Sequence, residues 1–415
     1  MSALFWPGDH RAGSLMSDSA LLRAMVAVEQ AWLESLVENR LADPGATGSL
    51  ADLVSDSDLG ELATRAEHAG NPVLALVDLL RARARTPATV MWLHRGLTSQ
   101  DVLDTALVLC ARDALVSVRA DVDRQVAAVL ELAVRFRDAP MVARTLTQHA
   151  VPYTFGLKAA LWLQGVLDAA EDLDRIAAAL PSQLGGAAGT MAAAVELAAS
   201  AGAIDPVGSA LAVAASTSAR LGLVARTPWH TTRAPITRLG DALCGAIDAW
   251  GRIANDVLLL ARPEIAELAE PGEAGRGASS TMPQKTNPVL SVLIRRAALT
   301  APTLAAQLHL TAAEAVDERP DGAWHAEWLP LHLLGRQAVI AAAQTTELLT
   351  GLRVEPERMR ATLTAARPGI DAERTSLAQL RAPDPDRATD AYVGAAGVVV
   401  DAICERARLR IASRG

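Results

Sequence analysis

Residues 277–288 read Gly-Ala-Ser-Ser-Thr-Met-Pro-Gln-Lys-Thr-Asn-Pro and gather more potential chemistry than any other stretch of the chain. Small residues give the segment freedom to move. Its hydroxyls, one ammonium and one amide are donors suited to an anion. On composition alone an ordinary surface loop is an equally good reading. A second polar cluster is His94-Arg95-Gly96-Leu97-Thr98-Ser99-Gln100-Asp101, followed by Asp104-Thr105. It has the form of a helix N-terminus, with Thr98 or Ser99 as cap and Asp101 adding negative charge to the first turn. Such an end also presents amide groups to a carboxylate. Two more clusters are Arg144-Thr145-Leu146-Thr147-Gln148-His149-Ala150-Val151-Pro152 and Gln183-Leu184-Gly185-Gly186-Ala187-Ala188-Gly189-Thr190, the second reading as a turn between helices.

Among the charged candidates, Arg233 lies on a loop with Trp229 and His230 and would serve as a carboxylate clamp, because a guanidinium matches a planar carboxylate with two donors. Arg144 and Arg319 rank second, since most arginines are solvated surface residues. His94 and His149 read equally as substrate contacts or as packing residues, and His10, His68, His309 and His332 read as structural. No His/Cys/Asp/Glu cluster has metal-ligand spacing, and no Walker or Rossmann phosphate loop is present.

The elements that must position these residues are helical. Between 236 and 260, Ile236, Leu239, Leu243, Ala246, Trp250, Ile253, Val257 and Leu260 recur at alternating spacings of three and four, behind a helix-starting Pro235. Flanking Ile247, Ala254 and Leu258 widen the stripe, so this helix touches more than one neighbour. Further helices are predicted over 101–137, 155–180 and 289–310, and strand alternation is scarce. Several helices carry so little charge that one monomer would hardly bury them, which predicts an oligomer. Breaks fall at 81–88, before a junction near residue 95, and at 351–356. The polar stretch 270–284 interrupts two helices, and a loop of that length inside a compact fold is usually functional or mobile.

Composition narrows the class. The chain has 415 residues, 39 Lys and Arg against 47 Asp and Glu, and a net charge of −8. With no basic block, nucleic acid and an anionic membrane surface are excluded as main partners. Hydrophobic residues at 51% exclude a disordered chain, and aromatics at 3% leave a core of Ala, Leu, Val and Ile. Cys110, Cys244 and Cys404 are far apart, and no signal peptide is evident, so reduced thiols in a cytoplasm are expected. The uncharged run 176–195 contains Pro181, Gln183, Gly185 and Gly186 and does not read as a membrane span.

The order of residues in 277–287 resembles the signature loop of the fumarase/aspartase superfamily, G-x-S-S-x-M-P-x-K-x-N, and the other three clusters follow in that superfamily's order. Pro228-Trp229-His230-Thr231-Thr232-Arg233 and residues 318–328, Glu-Arg-Pro-Asp-Gly-Ala-Trp-His-Ala-Glu-Trp, are similar to the bacterial 3-carboxy-cis,cis-muconate cycloisomerases. The resemblance runs to about residue 360. It implies an all-α fold of three regions: an N-terminal helical domain (1–95), a central helical bundle with the signature loop at 270–288 (96–345), and a short C-terminal helical domain (346–415). It also implies a homotetramer whose active sites each take segments from three subunits, without cofactor or metal.

By that resemblance Ser279 is the base, and Lys285 and Asn287 hold the carboxylate whose charge grows. The substrate-binding set is His94, Thr98, Ser99, Arg144, Thr145, Gln148, His149, His230, Arg233, Ser280, Met282 and Arg319. A serine becomes basic only where cations and backbone dipoles favour its alkoxide. Many relatives carry a histidine where this chain has Leu146, and that histidine assists poor leaving groups. A leaving carboxylate, with a conjugate acid of pKa ~4, departs unaided. The implied reaction is lactonisation of a small tricarboxylate, 3-carboxy-cis,cis-muconate, to 4-carboxymuconolactone. Nitrosuccinate lyase, whose nitrite also leaves unaided, is the alternative. A non-catalytic scaffold is opposed by Ser279, Lys285 and Asn287 standing together.

Overall fold

The computed structural model describes residues 3–46, 48–273, 275–282, 284–378 and 392–414. In chain order the elements are α1 (Asp18–Glu38), α2 (Leu59–Ala69), α3 (Val73–Arg83), α4 (Pro87–Trp92), α5 (Ser99–Arg135), β1 (Pro140–Thr145) and β2 (Gln148–Thr154). Next come α6 (Phe155–Ala178), α7 (Ala192–Ser200), α8 (Pro206–Leu221), α9 (Ala234–Leu260), β3 (Leu268–Ala269) and α10 (Val289–Ala313). The chain closes with α11 (Gly322–Thr350), β4 (Arg353–Val354), α12 (Pro356–Ile370), α13 (Ala372–Ala378) and α14 (Ala396–Ala412). The fold is all-α, as expected. By backbone contacts it forms two compact units: residues 1–117, 174–243 and 301–339, and residues 118–173, 244–300 and 340–415. The three expected regions are consecutive stretches of sequence, and residues 379–391 of the third lie outside the described residues.

In the first unit α1 packs on α8, and α8 on α7. Trp32, Leu36, Leu184, Met191, Ala198 and Val213 fill the space between them. Ser17 starts α1 by accepting the Ala20 N–H at 3.1 Å. In the second unit a buried glutamine ties three helices. The Gln125 side chain accepts the Trp250 indole N–H at 2.8 Å and donates to the Ala342 carbonyl at 3.0 Å. Every residue of the seam read from α9 is buried, from Ile236 to Leu260, and Pro235 sits in its first turn, where a missing N–H costs nothing. α10 is long and apolar enough, by length and composition alone, to cross a membrane. It also carries Arg295 and Arg296.

The antiparallel hairpin β1–β2 was not predicted by periodicity. α12 packs against it, with Val142, Leu363 and Ile370 in contact. Its two-residue turn places Leu146 and Thr147 at φ of 48° and 71°, the geometry of a type I′ turn. Neither residue suits that region, and Leu146 is 95% exposed. The double substitution Leu146→Asn with Thr147→Gly supplies the residue types this turn favours. It is expected to raise stability by about 1 kcal/mol, read as a higher urea midpoint. A lower midpoint would show that other contacts dictate this turn.

Candidate active site

In the first unit the cluster 98–105 joins the start of α5 to two loops. Gln100, Asp101, Asp104 and Thr105 are all fully buried. Asp101 accepts the N–H groups of Thr98 (3.0 Å), Gly185 (2.8 Å) and Gly186 (2.9 Å), so it both caps α5 and shapes the glycine turn. Burial nevertheless pushes its carboxyl up to about 6 against those hydrogen bonds. Thr105 Oγ1 accepts the Gln183 N–H at 2.9 Å and donates to the Gln183 carbonyl at 3.0 Å. This half of the motif is scaffold. Thr98 and Ser99, by contrast, are only half-buried.

Arg233 and His230 are buried in the same cluster, and both have partners within the chain. Arg233 grips Asp104 with two donors at 2.8 and 3.1 Å and grips Glu327 with two more, while His230 and Trp229 carbonyls accept from Nη1. All of its N–H groups are thereby engaged, so none is left to clamp a substrate. Trp324 donates its indole N–H to Asp104 at 2.8 Å. Burial pushes Glu327 up to about 7 against the pull of Arg233, with the Asp104 charge adding to the rise. His230 is buried against the glycine turn, with Nε2 2.8 Å from the Gly186 carbonyl, and burial holds its pKa below the ordinary value. A Cβ at Gly185 would lie 2.5 Å from His230 Cε1, so the turn needs glycine there for space.

Arg319 is different. Its guanidinium donates to Thr98 Oγ1 at 3.0 Å and lies 5.3 Å from the Trp324 ring, and no carboxylate pairs with it among the described residues. Held by a hydroxyl and an aromatic face, it keeps N–H groups for an anion. His94 lies four residues before Thr98 with φ of 63°, and its Nδ1 is 2.6 Å from Glu29 Oε1 on α1.

In the second unit Arg144 is bonded to the buried Glu267 at 2.8 and 3.0 Å, so this candidate also has a structural duty: it ties β1 to the chain entering the signature loop. Thr145, Gln148 and His149 are exposed at the free end of the hairpin. The signature loop is closed twice. At its neck, Glu270 accepts the N–H groups of Leu290 (3.0 Å) and Ser291 (2.6 Å), giving the first turn of α10 the acceptors a helix end lacks. Higher up, the Gly277 carbonyl accepts the Asn287 backbone N–H at 2.9 Å and its side-chain amide at 3.0 Å. Gly277 has φ of 70°, and a Cβ there would stand 2.3 Å from the Asn287 carbonyl oxygen. Between these closures Ser279 is half-buried, with Oγ accepting the Met282 N–H at 3.2 Å; Ser280, Met282 and Lys285 are exposed. Pro283 of the motif lies outside the described residues.

Lysine occurs at only two positions, 158 and 285, in a chain that otherwise uses arginine. Lys158 is 19% exposed and 3.6 Å from Asp256. Lys285 therefore stands alone as a solvent-facing ammonium in a loop, where a compact point charge differs from the planar fork used elsewhere. Among the described residues, no group of three or more His, Cys, Asp or Glu is placed to hold a metal ion.

The sequence model of a family described as lyase matches residues 22–302. The chain belongs to this lyase family, part of the fumarase/aspartase superfamily. The chain is 46% identical over 365 residues to a nitrosuccinate lyase of Streptomyces davaonensis, covering 87% of this chain and 76% of that one. It is 37% identical over 368 residues to a 3-carboxy-cis,cis-muconate cycloisomerase of Bradyrhizobium diazoefficiens, covering 87% and 78%. Its fold matches a 3-carboxy-cis,cis-muconate lactonizing enzyme of Pseudomonas putida with a TM-score of 0.83 at 27% identity, covering 95% and 96% of the two chains. The lyase fold read from the four motifs is thus the observed one. Reasoning from sequence missed Glu29, Glu267, Glu270 and Glu327. For Glu29 a signal existed, a carboxylate on a face of α1 otherwise made of Met25, Val28 and Trp32.

Proposed function

We propose that this lyase eliminates nitrite from nitrosuccinate. The 46% identity to a nitrosuccinate lyase, spread over 87% of the chain, carries the reading. Ser279 Oγ takes a proton from the carbon beside one carboxylate. The electron pair forms a carbon–carbon double bond, the C–N bond breaks, and nitrite departs with its electrons, leaving an unsaturated dicarboxylate. The ammonium of Lys285 and the amide of Asn287 meet the carboxylate whose charge grows. Arg319, Thr98 and Ser99 take the other. An exposed Leu146 at the hairpin tip has no proton to give, and nitrite requires none. In this reading the hairpin, the 94–99 segment and the signature loop come from three subunits of a homotetramer, and no cofactor takes part.

Cycloisomerisation of 3-carboxy-cis,cis-muconate is the second reading, favoured by cycloisomerase relatives at 33–37% identity and by the fold match to the lactonizing enzyme. Side-by-side turnover decides between them. Nitrite release from nitrosuccinate is expected to exceed loss of the muconate diene absorbance by at least about 100-fold in kcat/KM. The reverse order would assign the chain to the cycloisomerases, and turnover of neither would remove both readings.

A further inference from the structure

We infer that Glu29 is a positioning residue for substrate binding: its buried carboxylate holds the His94 ring by Nδ1 and leaves Nε2 as the donor offered to an anionic group of the substrate. The inference rests on the proposed reading in one respect, that the 94–99 segment lines the substrate site; that His94 within it meets substrate is part of the inference.

Two side chains one turn apart on α1 fasten the strained turn before α5. Glu29 Oε1 lies 2.6 Å from His94 Nδ1, and Trp32 donates its indole N–H to the Arg95 carbonyl at 2.7 Å. The adjoining Gly96, at φ of 90°, lies against the Trp32 ring, where a Cβ would come within 3.2 Å of the ring. These contacts hold His94 in a left-handed conformation that a histidine seldom adopts unaided. Glu29 is fully buried, and its second oxygen has no partner among the described residues. His94 is thus its hydrogen-bonding partner, and Nε2 of that ring has none among the described residues. A ring with Nδ1–H fixed on a carboxylate donates from Nε2 when it is an imidazolium and only accepts there when neutral. The charged groups around it are Glu29 on α1, Arg81 on α3 and Asp101 on α5. Burial is the largest influence and opposes the imidazolium, as does Arg81, but the charge and hydrogen bond of Glu29, helped by Asp101, raise the pKa above 6.5. The binding-competent ring is therefore present at low pH and lost as pH rises through that raised value.

The test is kcat/KM for nitrosuccinate against pH in the unmodified protein and in Glu29→Gln, Glu29→Asp and His94→Gln. The unmodified protein should show an alkaline limb, and Glu29→Gln should move it down by about one pH unit. That shift is a roughly tenfold loss of kcat/KM on the alkaline side of both limbs, with kcat changed by less than about threefold. Glu29→Asp should fall between, and His94→Gln should abolish the limb. If His94→Gln abolishes the limb and Glu29→Gln leaves it in place, Glu29 is merely structural and the inference fails while the site reading stands. If His94→Gln changes neither limb nor plateau, His94 does not meet substrate and the inference fails. A titration of 13C-labelled histidine rings needs neither turnover nor a folded Glu29 variant. A His94 ring titrating above the ordinary imidazole value supports the inference, and one at or below it overturns it.

Discussion

Ser279→Ala is expected to lower kcat for nitrosuccinate by about 10³-fold or more, with the fold, assembly and thermal midpoint unchanged. The substitution removes one atom, Oγ, whose hydrogen-bond partner among the described residues is the Met282 N–H at 3.2 Å. The loop is closed by Gly277 with Asn287 and by Glu270 with the start of α10, and neither closure uses that atom. Binding should persist, because the proposed carboxylate contacts Lys285, Asn287 and Arg319 are untouched, so KM should move far less than kcat. Nitrite release in the steady state, with a chemical-denaturation curve on the same sample, separates lost chemistry from lost structure. A variant retaining a third of normal turnover would exclude Ser279 as the base whatever the substrate.

Arg233→Met should act on stability rather than directly on chemistry, and the effect should be large. It leaves Asp104 and Glu327, both buried and both formerly paired with one guanidinium, facing each other without it. Breaking a buried pair from one side costs about 3–5 kcal/mol, because the remaining charge stays desolvated. The defect should depend on pH with a definite sign. Burial already raises Glu327 from 4.5 to about 7, and removing the cation raises it further. The folded variant then keeps a proton that the unfolded chain releases, so its stability declines as pH climbs from about 4.5 towards the raised value. Urea midpoints at pH 5 and pH 8 should therefore show the larger loss at pH 8. Adding Glu327→Leu should recover part of it. A variant as stable as the parent at both pH values would mean that the arginine offsets little of the burial cost.

These two sites show what local sequence could and could not disclose. The α9 seam was readable because every residue in it answers to one periodicity, and all the seam positions are buried. The hairpin was not, because its strands are short, a bulge breaks the register between Val142 and Arg144, and its turn carries Leu and Thr in place of Asn and Gly. The three candidate arginines looked alike in sequence. Arg144 and Arg233 have carboxylate partners 123 and 129 positions away, and only the folded chain reveals that Arg319 has none among the described residues. Motif recognition located the segments that identify the family but not the pairings inside them. Gln100, Asp101, Asp104 and Thr105 are braces, and Glu29 reaches His94 across 65 positions.

The two lysines give the signature loop a chemical address. An amine-selective reagent finds the α-amine of the chain and two ε-amines, of which Lys158 is shielded beside Asp256 while Lys285 faces solvent. A small fluorophore or isotopic methyl group directed at ε-amines therefore reports from the loop that carries Ser279, without any engineered cysteine. The scarcity that left arginine to do the structural pairing also leaves the loop as a ready site for single-position spectroscopy.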